Sequence, residues 1–148
     1  MVRTFDLNGK VVLISGGYGY LGNAISRSLL HHGAKVYVLA RSKTKFDDAF
    51  EGHLGEENLF FSKCDVSNAT SIENAFREIA QKEGRIDVLI NNAFYSRGQS
   101  PEQMTDADWE YGIDGSLNSV FRCIRAVIPY FKEQNSGKII NVSSMYGI

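Results

Sequence analysis

The feature that most constrains this chain is the octapeptide Ser15, Gly16, Gly17, Tyr18, Gly19, Tyr20, Leu21 and Gly22. It joins a short β-branched run, residues 10–15 (KVVLIS), to a segment with Leu21, Ile25, Leu29 and Leu30 at helical spacing, closed by Gly33. A strand that ends at glycines and opens directly into a helix is the setting of a phosphate-binding turn. Gly16 and Gly17 admit backbone angles closed to other residues. Gly19 removes a side chain where a pyrophosphate would sit, and Gly22 lets the helix pack against the sheet. The helix N-terminus then offers unpaired N–H groups and a partial positive charge to the phosphates. A flexible turn with no ligand is the plainer alternative, but the strand–turn–helix context favours dinucleotide binding. Tyr18 and Tyr20 would either cover such a ligand or stand exposed at the turn.

The pattern then alternates. Residues 34–40 (AKVYVLA) predict a second strand, followed by a weak helix to about Gly52 and a third strand at residues 58–62. Ser67 or Asn68 caps a helix running to about Glu83, with Ile72, Ala75, Phe76 and Ile79 on one face and Gly84 as its stop. Residues 86–91 (IDVLIN) predict a fourth strand. A loop with Gly98 and Pro101 leads to a long helical region over about 106–134, with a candidate break near Gly112–Gly115, and residues 137–142 predict a fifth strand. Strands apolar on both faces and alternating with helices imply a parallel sheet covered on each side. The expected architecture is a doubly wound α/β Rossmann fold, one three-layer αβα domain over residues 1–148, in the strand order 3-2-1-4-5. Such sheets bind ligands beyond the carboxyl ends of their strands. That rim would gather the glycine turn, residues 40–42, Asp65, residues 91–94, and Ser143 with Ser144.

Bulk properties exclude several classes. The chain has 148 residues, sixteen basic and seventeen acidic, so it lacks the basic excess of a nucleic-acid or membrane-surface binder. No apolar run is long enough to span a bilayer and the N-terminus has no signal-peptide core, so a cytoplasmic protein is expected. Cys64 and Cys123 read as buried free thiols. His31 and His32 suit the end of a helix, and His53 is isolated, so no metal site is expected. Asp106 and Asp108 begin a helix rather than form a catalytic pair. Trp109, Phe121, Tyr130 and Phe131 read as core or interface.

The residues after the second strand bear on cofactor choice. An NAD site places a carboxylate there for the ribose 2′-hydroxyl, whereas an arginine accommodates a 2′-phosphate. Here the strand runs out at Ala40, Arg41, Ser42 and Lys43, with no carboxylate. Arg41, helped by Ser42 and Lys43, favours NADP(H) over NAD(H). A solvated surface arginine is the alternative.

Four segments in order, LNGKVVLISGG with its turn, CDVSN at residues 64–68, NNA at 91–93 and IINVSS at 139–144, make nearly the whole chain resemble the first three-fifths of a short-chain dehydrogenase/reductase. The resemblance implies NAD(P)(H)-dependent hydride transfer between nicotinamide and a carbonyl or alcohol substrate. It implies that Asp65 and Val66 flank the adenine, and that Asn91, Asn92 and Ala93 steady the fourth strand and touch the adenosine ribose. Ser144 matches the catalytic serine, which polarises the substrate carbonyl. It also implies homo-oligomers, dimers or tetramers, paired through the long helix and the helix that follows it in the family.

The departures are specific. Ser15 replaces a threonine, and Tyr20 stands where the commoner turn has glycine, giving the GxxGxxG spacing of the extended branch. Phe94 replaces the glycine of NNAG, which would narrow or reshape the nicotinamide end. Ser116 stands where a catalytic asparagine is usual, with Asn118 two residues on. The family's proton donor is a tyrosine followed four residues later by a lysine, and no tyrosine in these 148 residues has that lysine. Tyr146 is too near Ser144 to take the role. The chain by itself is therefore expected to bind nucleotide without turnover. A non-catalytic nucleotide-binding or assembly module is the alternative, and a reductase of nucleotide-linked sugars is a lesser one.

Overall fold

Residues 5–144 are described in a computed structural model. Five strands form one parallel sheet: β1 (Val11–Ser15), β2 (Lys35–Ala40), β3 (Leu59–Lys63), β4 (Val88–Asn91) and β5 (Lys138–Asn141). Their spatial order is β3-β2-β1-β4-β5, as expected. The intervening helices are α1 (Tyr20–His31), α2 (Lys43–Ala49), α3 (Ala69–Glu83), α4 (Asp106–Ile113) and α5 (Ser119–Gln134).

Side chains alternate across a strand, so each central strand feeds two cores. Val11 and Leu13 face a layer built from Ile72, Ala75, Phe76 and Ile79 of α3 and Cys123, Val127 and Phe131 of α5. Val12 and Ile14 face the opposite layer, which holds Val36, Val38, Phe46 and Phe50 and the half-buried Ile25, Leu29 and Leu30 of α1. Burial on both faces explains why these strands read as continuous apolar runs. Leu21 departs from the expected α1 face: it is exposed, and Gly22 and Ser26 are the buried residues of that helix. Of the aromatic residues, Phe131 is core and Tyr130 packs against it, whereas Trp109 and Phe121 are exposed.

Most element ends have a local chemical cause. Asn68, rather than Ser67, caps α3, its side chain accepting the Ser71 N–H at 2.9 Å. Gly84 ends α3 in the left-handed region at φ 72°. Thr105 caps α4, whose first turn carries Asp106 and Asp108 as the helix dipole favours. The glycines near 112–115 do not break the long helix. α4 passes into α5 through a π-helical turn, Asp114–Asn118, so the chain gains a residue without losing its helical course. The fourth strand is Val88–Asn91, two residues shorter at its start than its apolar run suggests, although the Asp87 backbone already bonds to Val11 and Lys138 on the neighbouring strands.

Both thiols are buried and free, and burial pushes each up to about 12. His53 is not isolated: its ring lies 2.7 Å from Arg27 Nη1 and 2.5 Å from Glu56 Oε1. Among the described residues no helix is long and apolar enough to cross a membrane.

Two buried carboxylates close the N-terminal side of the sheet. Glu83 accepts from Lys35 Nζ and the Tyr37 hydroxyl, each at 2.6 Å, fastening the end of α3 to β2. Asp87 accepts the Val11 N–H at 2.9 Å and Arg85 Nε at 2.9 Å, with Lys10 Nζ at 3.5 Å, fastening β1 to β4. Burial alone would raise the Asp87 carboxyl, but the bonds from Arg85 and Val11 outweigh it and hold the group below its usual range. The folded state therefore binds this proton less readily than the unfolded chain. Its stabilisation is full above the unfolded value of about 3.9 and is lost as pH falls through the lower folded value. Asp87→Asn is expected to lower unfolding free energy by about 1–3 kcal/mol near neutral pH. Urea titrations from pH 7 to pH 3 should show wild type losing part of that margin on acidification, with the variant's acid limb flatter.

Candidate functional site

The carboxyl ends of β1 and β4 meet at one side-chain oxygen. Ser15, buried at the end of β1, accepts through Oγ the backbone N–H groups of Asn92 and Ala93, both at 3.1 Å. Asn92 answers from the β4 side, donating Nδ2 to the carbonyls of Ser15 and Gly16, again at 3.1 Å. The hydroxyl retained in place of threonine is thus the tie between the turn and the loop after β4.

Gly16 sits at φ 64°, a left-handed angle that turns the chain back over β1. Its carbonyl also receives the Gly19 N–H at 3.0 Å. Gly22 passes so close that a Cβ there would lie 2.2 Å from the Gly16 oxygen. The role of Gly22 is therefore to seat α1 on the turn's own backbone, not on the sheet. Gly17 does not use the left-handed region; a Cβ there would strike Ile14 and Ser26. A Cβ at Gly19 would meet only the Gly16 carbonyl, at 3.3 Å, so the outer side of the turn is open. Among the described residues no side chain caps the N-terminus of α1. An uncapped helix start beneath an open glycine is the chemistry a pyrophosphate uses, so the residues fit that group. Tyr18 is half-buried and packs on the α1-side core, so it does not stand free at the turn. Tyr20 is fully exposed and Leu21 half-exposed.

The other rim positions lie where the topology sends them. Arg41 is exposed after β2. Ser42 is already used in the fold, its hydroxyl capping α2 by accepting the Lys45 N–H at 3.2 Å. Asp65 accepts the N–H and the hydroxyl of Ser67 at 2.9 and 2.7 Å, and its own N–H donates to Ser71 Oγ at 2.9 Å. Burial raises that carboxyl, but the two Ser67 bonds and then the charge of Arg41 bring it below its ordinary value. Val66 is half-buried against the α3–α5 core. Asn91 is buried and donates Nδ2 to Asn141 Oδ1 at 2.8 Å. Its own Oδ1 is buried with no hydrogen bond among the described residues, leaving a spare acceptor at the end of β4.

Val142 N–H donates to the Asn91 carbonyl at 2.9 Å, which delivers exposed Ser143 and Ser144 to the same rim. Phe94 is 76% exposed, directly after the Ser15 tie. Ser116 is exposed within the π-turn, with its hydroxyl bonded to the Gly112 carbonyl, and Asn118 turns its amide to Asp114 at 3.3 Å. Tyr146 lies outside the described residues.

Three residues not anticipated from sequence also meet here: Tyr95, Asp114 and Arg122. Asp114 and Arg122 are eight apart, a spacing that pairs charges only because the π-turn lies between them. Arg122 first and Tyr95 second hold the Asp114 carboxyl at about 2.

Comparison with known proteins decides what this rim belongs to. The sequence profile of the short chain dehydrogenase family matches residues 10–148. The chain is a member of the short-chain dehydrogenase/reductase family. It is 35% identical over 145 residues to the 3-oxoacyl-[acyl-carrier-protein] reductase FabG of Thermotoga maritima, covering 96% of this chain and 58% of that protein. It is 32% identical over 152 aligned positions to the 15-hydroxyprostaglandin dehydrogenase [NAD(+)] of Rattus norvegicus, covering 96% and 53%. A crystal structure of a short chain dehydrogenase from Bacillus anthracis superposes with a TM-score of 0.88 at 31% identity, over 95% of this chain and 57% of that one. The chain thus spans a little over half the length of the relatives it matches.

The Ser15 tie should be directly measurable. Ser15→Ala strands two partly buried N–H groups, and is expected to cost about 1–3 kcal/mol of stability. Amide exchange at Asn92 and Ala93 should quicken more than exchange along α3, which has no contact with the hydroxyl.

Proposed function

We propose that this chain is the dinucleotide-binding portion of a nicotinamide-dependent oxidoreductase that interconverts a carbonyl and an alcohol. The observation that carries the reading is the open glycine turn at the uncapped start of α1, locked to the β4 loop through Ser15. The nicotinamide, when bound, supplies or accepts the hydride. The protein's part is to hold and orient. The α1 N–H groups and Gly19 take the pyrophosphate, Asp65 and Val66 flank the adenine, and Asn91, Asn92 and Ala93 steady the ribose side. Gly16, Gly17 and Gly22 give the turn its shape, with Tyr18, Tyr20 and Leu21 around it.

Ser144 is proposed to polarise the substrate carbonyl by donating a hydrogen bond. Residues 1–148 supply no tyrosine with a lysine four positions on, so we infer that they bind nucleotide without turning it over. Ser116 favours a second reading, a binding module without catalysis. It replaces the relay asparagine, and its hydroxyl is committed to Gly112. Turnover of NADPH with a carbonyl substrate by residues 1–148 at ordinary enzymatic rates would sink both inferences.

Arg41 supports NADP(H) over NAD(H): it is exposed, next to the Ser42 cap, with no carboxylate on residues 40–43. The prostaglandin relative is named for NAD(+), so the preference rests on this residue's own charge. Arg41→Ala is expected to weaken NADPH binding about tenfold or more while leaving NADH within about twofold, because a charged hydrogen bond to the 2′-phosphate is lost. Titration calorimetry with both nucleotides checks it; equal losses would remove the preference.

Copies of the chain are proposed to associate through the α4–α5 segment, where Trp109, Leu117 and Phe121 are each about 60% exposed. Phe121→Asp should shift the protein towards monomer in light scattering. A wild-type chain already monomeric at tens of micromolar would count against the interface.

A further inference from the structure

Asp114 opens the π-turn with both carboxylate oxygens engaged. Tyr95 donates its hydroxyl to Oδ2, and Arg122 donates Nη2 to Oδ1 at 2.5 Å. The other terminal nitrogen of Arg122, Nη1, reaches the Val66 carbonyl at 3.5 Å. Val66 belongs to the loop after β3 and Tyr95 to the loop after β4. One guanidinium and one carboxylate therefore join two loops that belong to opposite sides of β1 in the sheet. Arginine suits the task because its planar fork holds donors at fixed angles, so one side chain can serve a carboxylate and a carbonyl together.

The geometry around this pair is tight. The Arg122 and Asp114 side chains are only 22% and 27% exposed, so solvent screens them less than it would a surface pair. Gly115 follows Asp114, and a Cβ there would lie 2.1 Å from the Tyr95 carbonyl oxygen. The loop backbone thus rests directly on the π-turn, and the Tyr95 ring packs on Tyr111 at 4.7 Å. Burial first, and Asp114 second, push the Tyr95 hydroxyl up to about 12, so it stays protonated and donating across the physiological range.

We propose that Tyr95, Asp114 and Arg122 form a brace that sets the position of the Asp65–Val66 loop relative to the loop carrying Phe94, making Tyr95 and Arg122 positioning residues for nucleotide binding. The proposal rests on the nucleotide-binding reading above. Neither side chain needs to touch the ligand. The adenine-side loop is anchored locally by Asp65, Ser67 and Ser71, and Arg122 adds a tether from the far loop. A change at Tyr95, on the β4 side, is then felt at Val66 through Asp114.

The test is calorimetric binding of ADP, which probes the adenosine half alone, and of NADPH, to wild type, Tyr95→Phe, Arg122→Ala, Arg122→Lys and the Tyr95→Phe/Arg122→Ala double variant. Arg122→Ala should weaken ADP about tenfold and Tyr95→Phe about threefold, with the double variant no weaker than Arg122→Ala because the link is already cut. Arg122→Lys keeps the charge and loses the fork, and should recover only part of the affinity. Should Arg122→Ala fail to fold, Tyr95→Phe and Arg122→Lys carry the same test. ADP binding unchanged in Tyr95→Phe, or losses that add in the double variant, would overturn the brace. A wild-type chain that binds neither ADP nor NADPH would overturn the nucleotide reading, and the brace with it.

Discussion

The Ser15 hydroxyl is the contact on which the arrangement of the rim depends. A parallel sheet sends every loop after a strand to the same edge, but that alone leaves the loops free to splay. Ser15 stands at the end of β1, the strand paired with both β2 and β4. By accepting two N–H groups of the β4 loop while Asn92 donates back to the turn, it closes a ring of hydrogen bonds between the two segments. Each bond has a modest net value, and each would be costly to leave unmade in a partly buried setting. With that ring in place, Gly16 and Gly22 can hold the start of α1 open.

The polar chemistry of the molecule is divided between the two ends of the sheet. At the N-terminal ends of the strands, Glu83 and Asp87 are buried, paired with cations and engaged in tying one element to the next. They are satisfied and have nothing to spare for a ligand. At the carboxyl ends the groups are only partly committed: the first turn of α1 lacks a side-chain cap, and Asn91 Oδ1 is a buried acceptor with no hydrogen bond among the described residues. Fully paired charges are concentrated at one end and uncommitted polar groups at the other. Asp114 departs from this division, since a fully engaged carboxylate there joins two loops of the open rim.

The strand order was expected from the right-handed crossovers of an alternating chain. The α3 face of Ile72, Ala75, Phe76 and Ile79 and the stop at Gly84 were legible because each depends on local periodicity or a local backbone angle. Leu21 was misleading for the same reason. Helical spacing places it with Ile25 and Leu29, yet Gly22 and Ser26 are the residues α1 buries and Leu21 is exposed. Ser42 follows β2 as expected, and the structure adds a second use: its hydroxyl oxygen accepts the Lys45 N–H at the start of α2, which leaves the hydroxyl proton able to donate. Tyr18 read either as cover for a ligand or as exposed at the turn, and the structure half-buries it against the core. Tyr95, Asp114 and Arg122 carried no readable signal, because their meeting requires a π-turn that no spacing rule describes.

The sequence by itself determined that this chain folds as a doubly wound parallel sheet with a glycine turn after its first strand. Those properties follow from which residues are apolar, at what period, and where a side chain is missing. Only the tertiary structure decided which polar groups at the rim remain available. Availability depends on partners brought together across the sheet, such as Asn92 on Gly16 and Arg122 on Val66, and a hydrogen bond between residues some 56 to 76 positions apart is set by three-dimensional distance.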